Sequence, residues 1–366
     1  MSGQQHAHNP RWTMVFPVLA AALVLAYFAG LLPKDNALLF AVEGVFLLGA
    51  VFSAVHHAEV VGNRVGEPFG SIILAVSVTV IEVGLIAALM LAADDGGPTI
   101  ARDTVYSAVM LVLTGLIGLS LVLGGHKHYE QTIKVAGTSS YLAVLGALAV
   151  IALILPNFTT STAGPTYSAA QLTAAALVSI MLYGAFMFVQ TVRHRDYFLA
   201  AADDESDAEN LDPPTRQQAR VSLAFLLLSL AGVVLLAKML APALDELIEL
   251  AGLPQSFTGV VIAALVLAPE SIAAVRASLA NRPQTAINLA LGSALASIAL
   301  TIPVITLLGA VDNVQLALGV PPAKIVLLSL ALFVSAITLL PGRTTVLQGY
   351  VHLGLFIMFI VIAAVP

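Results

Sequence analysis

The chain has 366 residues, of which 59% are apolar and only 10% charged, and its mean hydropathy is +0.97. Soluble domains carry about a quarter charged residues, so this composition excludes an ordinary soluble fold and makes the lipid bilayer the principal partner. With no cysteine there is no disulfide, thiolate ligand or cysteine nucleophile, and a formal net charge of −6 argues against nucleic-acid binding.

A bilayer core of about 30 Å takes roughly 20 residues of helix. Eleven windows of suitable length and few charges follow one another along the chain. The first, residues 13–32, sits behind a short polar tail with no small-residue cleavage site, so it reads as a retained span rather than a signal peptide. Spans at 37–57, 69–93, 105–124, 140–156 and 169–191 come next. Residues 192–219 form the one long polar segment, carrying Asp203, Asp204, Glu205, Asp207, Glu209 and Asp212 just before Pro213-Pro214. Spans at 221–241, 257–275, 286–309, 323–340 and 345–365 complete the chain.

A cytoplasmic N-terminus puts 11 of the 15 Lys and Arg residues in the tail and the cytoplasmic loops, leaving Lys34, Arg102, Lys238 and Lys324 opposite. That is the bias the positive-inside rule rewards, and it places the C-terminus outside. The polar segment becomes a cytoplasmic linker, and the chain divides into a tail with an extra helix (1–36), five spans (37–192), the linker (193–219) and five more spans (220–366).

The two sets of five spans align. An offset of 188 residues lays 38–82 on 226–270 without a gap, pairing Gly44 with Gly232, Phe69 with Phe257 and Glu82 with Glu270. Apolar identities are cheap in membrane helices; a shared glutamate is not. An odd number of spans per copy inverts the second copy, so the expected fold is an all-α membrane protein of eleven helices, one extra plus a 5+5 inverted-topology repeat. Secondary transporters are built this way, with their site near the midplane.

Within the spans only three carboxylates occur: Glu43, Glu82 and Glu270. Each costs about 2.5–3.5 kcal/mol even on the lenient insertion scale, which marks it as functional. Glu43 lies six residues into span 2 and reads as an entrance or interfacial residue. That span ends in His56 and His57, with Glu59 just beyond; this is not HExxH, and it serves either as a polar cap or as a proton relay or gate.

Glu82 and Glu270 are each 13 residues into their spans, roughly 20 Å along a helix and near mid-membrane. Two such carboxylates facing each other in low dielectric need either protons or a cation, and that competition is the physical core of an antiporter. Oxygen-rich surroundings favour a hard cation such as Ca2+. Ser77 and Thr79 in span 3, Thr114, Gly115 and Gly118 in span 4, Ser271, and then Asn288, Gly292, Ser293 and Ser297 in span 9 supply oxygens or close packing. Pro269 withdraws an amide from the helix just before Glu270. The acidic linker is either a tether or a weak regulatory cation site.

The stretches GEPFGSIILAVSVTVIEVGLI (66–86) and LAPESIAAVRASLANRPQTAINLALGSALASIALTIP (267–303) resemble the two repeats of the cation/calcium exchanger superfamily, and most closely its ChaA-type branch of cation/proton antiporters. The resemblance covers nearly the whole chain. It implies that Glu82 and Glu270 carry cation and proton in turn, with Asn288, Ser293 and Ser297 as second-repeat ligands, in a prokaryotic inner membrane. It implies no enzyme activity and no cofactor beyond the transported ions, Ca2+ and H+ with Na+ or K+ left open. The first repeat has Val80-Ile81-Glu82 where many exchangers place a proline, and Ser297 stands where they often have asparagine. Weaker or reshaped ligation follows from both. Two competing readings remain: a cation channel lined by the same glutamates, and an intramembrane hydrolase at His56, His57 and Glu59, which lacks a nucleophile and metal spacing.

Overall fold

In lipid every backbone polar group must be satisfied within the protein, so a chain this apolar has little choice but helix. The computed structural model describes residues 10–32, 37–66, 69–92, 97–198, 213–312 and 314–366. The acidic run from Asp203 to Asp212 lies outside the described residues. In chain order the helices are α1 (Arg11–Phe28), α2 (Ala37–Val65), α3 (Phe69–Ala92), α4 (Ile100–Met110), α5 (Ile117–His128), α6 (Val135–Ala149), α7 (Ala169–Phe188), α8 (Arg216–Leu250), α9 (Thr258–Val266), α10 (Ala268–Leu279), α11 (Pro283–Asp312), α12 (Pro322–Leu339) and α13 (Val346–Ala364). Among the described residues ten helical stretches are long and apolar enough to cross a membrane, and the bent pair α9–α10 makes an eleventh span. The protein is an all-α membrane protein with the expected eleven spans.

The chain forms two compact units. One comprises α1–α3 and α8 as far as Leu247; the other comprises α4–α7 and α9–α13. In the first, α2 packs on α1 and α3. Close approach is possible at Gly62, where an added Cβ would lie 2.9 Å from the Gly70 carbonyl oxygen.

The second unit is tied by polar contacts at helix irregularities. A π turn at Leu111–Leu116 joins α4 to α5. Such a turn loosens the carbonyl ladder, and the buried His352 of α13 donates from Nδ1 to the Leu113 carbonyl at 2.6 Å. The only acceptor on that side is the carbonyl, so Nδ1 carries the hydrogen and Nε2 accepts from the Thr338 hydroxyl at 3.1 Å. In the π turn Val150–Ile154 the Tyr167 hydroxyl likewise donates to Ile151 at 2.6 Å. A two-stranded antiparallel ribbon, β1 (Glu130–Thr132) and β2 (Arg343–Thr345), pairs Gln131 with Thr344 and links the loops after α5 and before α13.

Sequence alone assigns Arg102 and Lys324 to the outer side, whereas the structure buries Lys324 and leaves Arg102 only partly exposed. Asp103 in the first turn of α4 takes Lys324 Nζ on Oδ1 and Arg102 Nη2 on Oδ2, each at 3.0 Å, and these side chains are 3%, 7% and 11% exposed. Breaking one member of a buried ion pair strands the others. Asp103→Asn is therefore expected to cost about 3–5 kcal/mol, read as a lowered unfolding midpoint in detergent. An unchanged midpoint would show that water already screens the cluster.

Candidate cation and proton site

In the first unit α3 runs unbroken through Glu82, as befits a stretch with no proline, and the Glu82 side chain is 2% exposed. Thr79 stands one turn before it, on the same face, while Ser77 is five residues away and falls some 140° around the helix. Both are buried. Their hydroxyls donate back to Ile73 at 2.7 Å and Ala75 at 2.9 Å, which commits the hydrogens and leaves oxygen lone pairs for a cation.

The second unit breaks its helix at the corresponding place. α9 ends at Val266 and α10 begins at Ala268, with a 54° bend. Pro269 brings no N–H for the Leu265 carbonyl, so the ladder cannot continue through it. Glu270 thus sits in the first turn of a half-helix, where the backbone N–H groups and the dipole favour negative charge. The preceding carbonyls end a helix and favour positive charge. The far end of α10 is held as well: Lys127 and His128 reach the Leu279 carbonyl at 2.9 and 3.1 Å, and Gln131 reaches Ser278 at 3.4 Å.

α11 returns alongside α10. Counting from the connection at residues 280–282, Ser293 comes level with Glu270, both roughly 15 Å from the turn. Ser297, 5% exposed, lies a turn further on, and the π turn bearing Thr114 packs on both helices. Asn288 sits about 7 Å closer to the connection than Ser293. Its Nδ2 donates to the Phe198 carbonyl at 2.5 Å and its Oδ1 accepts from Gln284 at 2.9 Å, so both ends of the amide are engaged away from Glu270's level.

The His56 and His57 rings meet edge to face at 5.4 Å. His57 is buried with Nε2 3.0 Å from the Thr13 carbonyl, His56 is half-buried beside Trp12, and Glu59 is exposed. Glu43 is fully buried rather than at a surface. Among the described residues no three His, Asp or Glu side chains gather as a metal-holding group. Sequence reasoning missed His352; its only signal was a histidine in the middle of an apolar span.

The family described as sodium/calcium exchanger protein matches residues 36–192 and 221–365. The chain belongs to this family. The sodium-potassium/proton antiporter ChaA of Escherichia coli is 38% identical over 98% of this chain and 99% of its own. The Sinorhizobium fredii protein y4hA is 49% identical over 98% of each. The solved structure of native YfkE superposes with a TM-score of 0.73 at 18% identity, covering 97% of this chain and all of that one. The H+/Ca2+ exchanger CAX gives 0.69 at 14% identity over 95% and 88%. These last two share the exchanger fold. Membership makes the chain a cation transporter of the antiporter kind and not an enzyme.

Proposed function

We propose that the chain exchanges Ca2+, Na+ or K+ for protons by alternating access, with Glu82 and Glu270 as the carrying carboxylates. The observation that supports this most is the placement of Glu270, a carboxylate in the first turn of a half-helix broken at a proline inside an apolar span. Discontinuous helices of this kind hold ions in secondary transporters because their ends offer both signs of partial charge. Glu82, the residue that the repeat offset equates with it, is buried in an unbroken helix. The E. coli relative is a sodium-potassium/proton antiporter by name, and YfkE is a Ca2+/H+ antiporter by name.

The chemistry follows from charge. With two ionised glutamates and no ion the site carries uncompensated charge, which does not cross hydrocarbon. Loading with protons or with a cation neutralises it and lets the site change sides. Coupling is therefore obligatory, and a channel, which conducts without counter-transport, is disfavoured. The N-terminus is assigned to the cytoplasm on the distribution of Lys and Arg.

Purified protein in proteoliposomes tests this. Ca2+, Na+ or K+ added on one side should release protons from the other, and a cation current that persists without proton counter-flow would establish the channel instead. The acidic linker is assigned a sensing role: neutralising Asp203, Asp204, Glu205, Asp207, Glu209 and Asp212 together should shift the cation dependence in the range of about 10⁻⁴–10⁻³ M, where loosely organised carboxylates bind Ca2+, with maximal flux retained. An unshifted curve reduces the linker to a tether.

A further inference from the structure

The unit built from α1–α3 and α8 holds a carboxyl that, among the described residues, is buried without a hydrogen-bond partner. Glu43 is 0% exposed, and neither of its carboxylate oxygens has a hydrogen-bond partner among the described residues. Its surroundings follow from contacts that fix the helix registers. In α1 and α2 the Ser53 hydroxyl donates to the Thr13 carbonyl and Phe16 lies against Gly49, which brings Ala20 and Val24 level with Glu43. Gly62 against Gly70 in α2 and α3 brings Ile86 and Leu89 there. In α8, Ser229 Oγ lies 3.2 Å from Ser53 Oγ and Phe225 stacks on His57 at 5.4 Å, which brings Leu236 and Met239 to the same level. The contact of Gly84 with Val234 closes the same register between α3 and α8. All six of these level residues are apolar and buried.

The titratable groups on the packed helices are, among the described residues, distant or turned away. Glu82 is level with Ala50, about 10 Å along the helix, and His57 is about 21 Å along it. Tyr27 and Asp245 are level with the first turn of α2, about 8 Å the other way. Lys238 is exposed. α1 brings no other charge between Arg11 and its end.

An ionised carboxylate in such a box is far costlier than a neutral carboxyl lacking a partner. Ca2+ needs roughly 6–8 oxygens, and the six level side chains add none to the two of Glu43 itself. The repeat offset puts Ala231 at the matching position of the second copy, so Glu43 stands outside the duplicated machinery. We propose that Glu43 is a proton-only binding site, occupied in this conformation and separate from the cation site, whose proton leaves only when the unit admits water between α1, α2 and α8. The conformation is then held at low pH and lost as pH rises through the Glu43 titration. The proposal stands on the burial of Glu43 and goes beyond the exchange reading.

A membrane-permeant carbodiimide, dicyclohexylcarbodiimide, reacts with protonated carboxyls in apolar settings, and peptide mass mapping of the whole wild-type protein locates the adduct. The adduct on Glu43 is expected at acid pH, fading as pH rises and the carboxyl releases its proton, and unchanged by saturating Ca2+, Na+ or K+. Absence of the adduct even at acid pH, or its suppression by cations, overturns the proposal. Glu43→Gln, fixed in the neutral form, should match wild-type flux within about twofold at acid pH and exceed it about tenfold one pH unit beyond the titration. A flux profile superimposable on wild type also overturns it. The labelling separates the two readings: if cations fail to protect Glu82 and Glu270 while Glu43 behaves as stated, the exchange reading falls and the proton site survives.

Discussion

Glu82→Gln and Glu270→Gln are each expected to lower cation/proton exchange below about a tenth of wild type while leaving the protein extractable and folded. The amide keeps the volume and the hydrogen-bonding shape of a protonated glutamate, so packing around the 2%-exposed Glu82 has no reason to change. What is lost is the second state. A glutamine can mimic the proton-loaded carboxyl but can neither release a proton nor bring a negative charge to a cation, and Ca2+ affinity depends steeply on ligand charge count. Cation-triggered proton release from proteoliposomes is the measurement, with thermal unfolding as the control for folding. Flux above a tenth of wild type in either variant would remove that residue from the carrying role.

How much of this was legible in the sequence depends on which force dominates. The eleven spans were readable because hydropathy over some 20 residues is a cumulative signal, and the desolvation cost of a charge is large enough to confine Lys and Arg to the ends. The break before Glu270 was readable from Pro269, since proline removes an amide wherever it sits. The continuity of α3 at Glu82 follows from Ile81 at the position where the second repeat has its proline.

Side-chain partners were much less legible. Asn288 carries the right oxygen for a ligand, yet the structure turns its amide to Phe198 and Gln284, a choice set by long-range packing that spacing does not encode. The Arg102–Asp103–Lys324 cluster reads as separate charges at the ends of spans because Asp103 and Lys324 are 221 residues apart. His352 is likewise unreadable, since its partner is a backbone carbonyl in a π turn that leaves no mark in composition.

The broken helix leads to the second large expected effect. Pro269→Ala restores an N–H that can bond the Leu265 carbonyl and removes an interior proline that costs a helix about 3 kcal/mol. α9 should then run on into α10, as α3 already does in the first copy. Straightening satisfies the backbone at the cost of the site. Glu270 loses its place in the first turn of a half-helix, and the end of α9 loses the carbonyl dipoles that favour a cation. The variant should therefore extract as well as wild type or better, and need at least about tenfold more cation for half-maximal proton release, a change of about 1.4 kcal/mol. Glu270→Gln abolishes exchange by removing the charge, whereas Pro269→Ala keeps the charge and weakens only its setting, so the two variants separate carboxylate from backbone in the binding of the cation. An unchanged half-maximal concentration in Pro269→Ala would place the whole burden on side-chain oxygens. Ser271, Ser293 and Ser297 would then be the next residues to substitute, since they are the hydroxyls nearest Glu270 along α10 and α11.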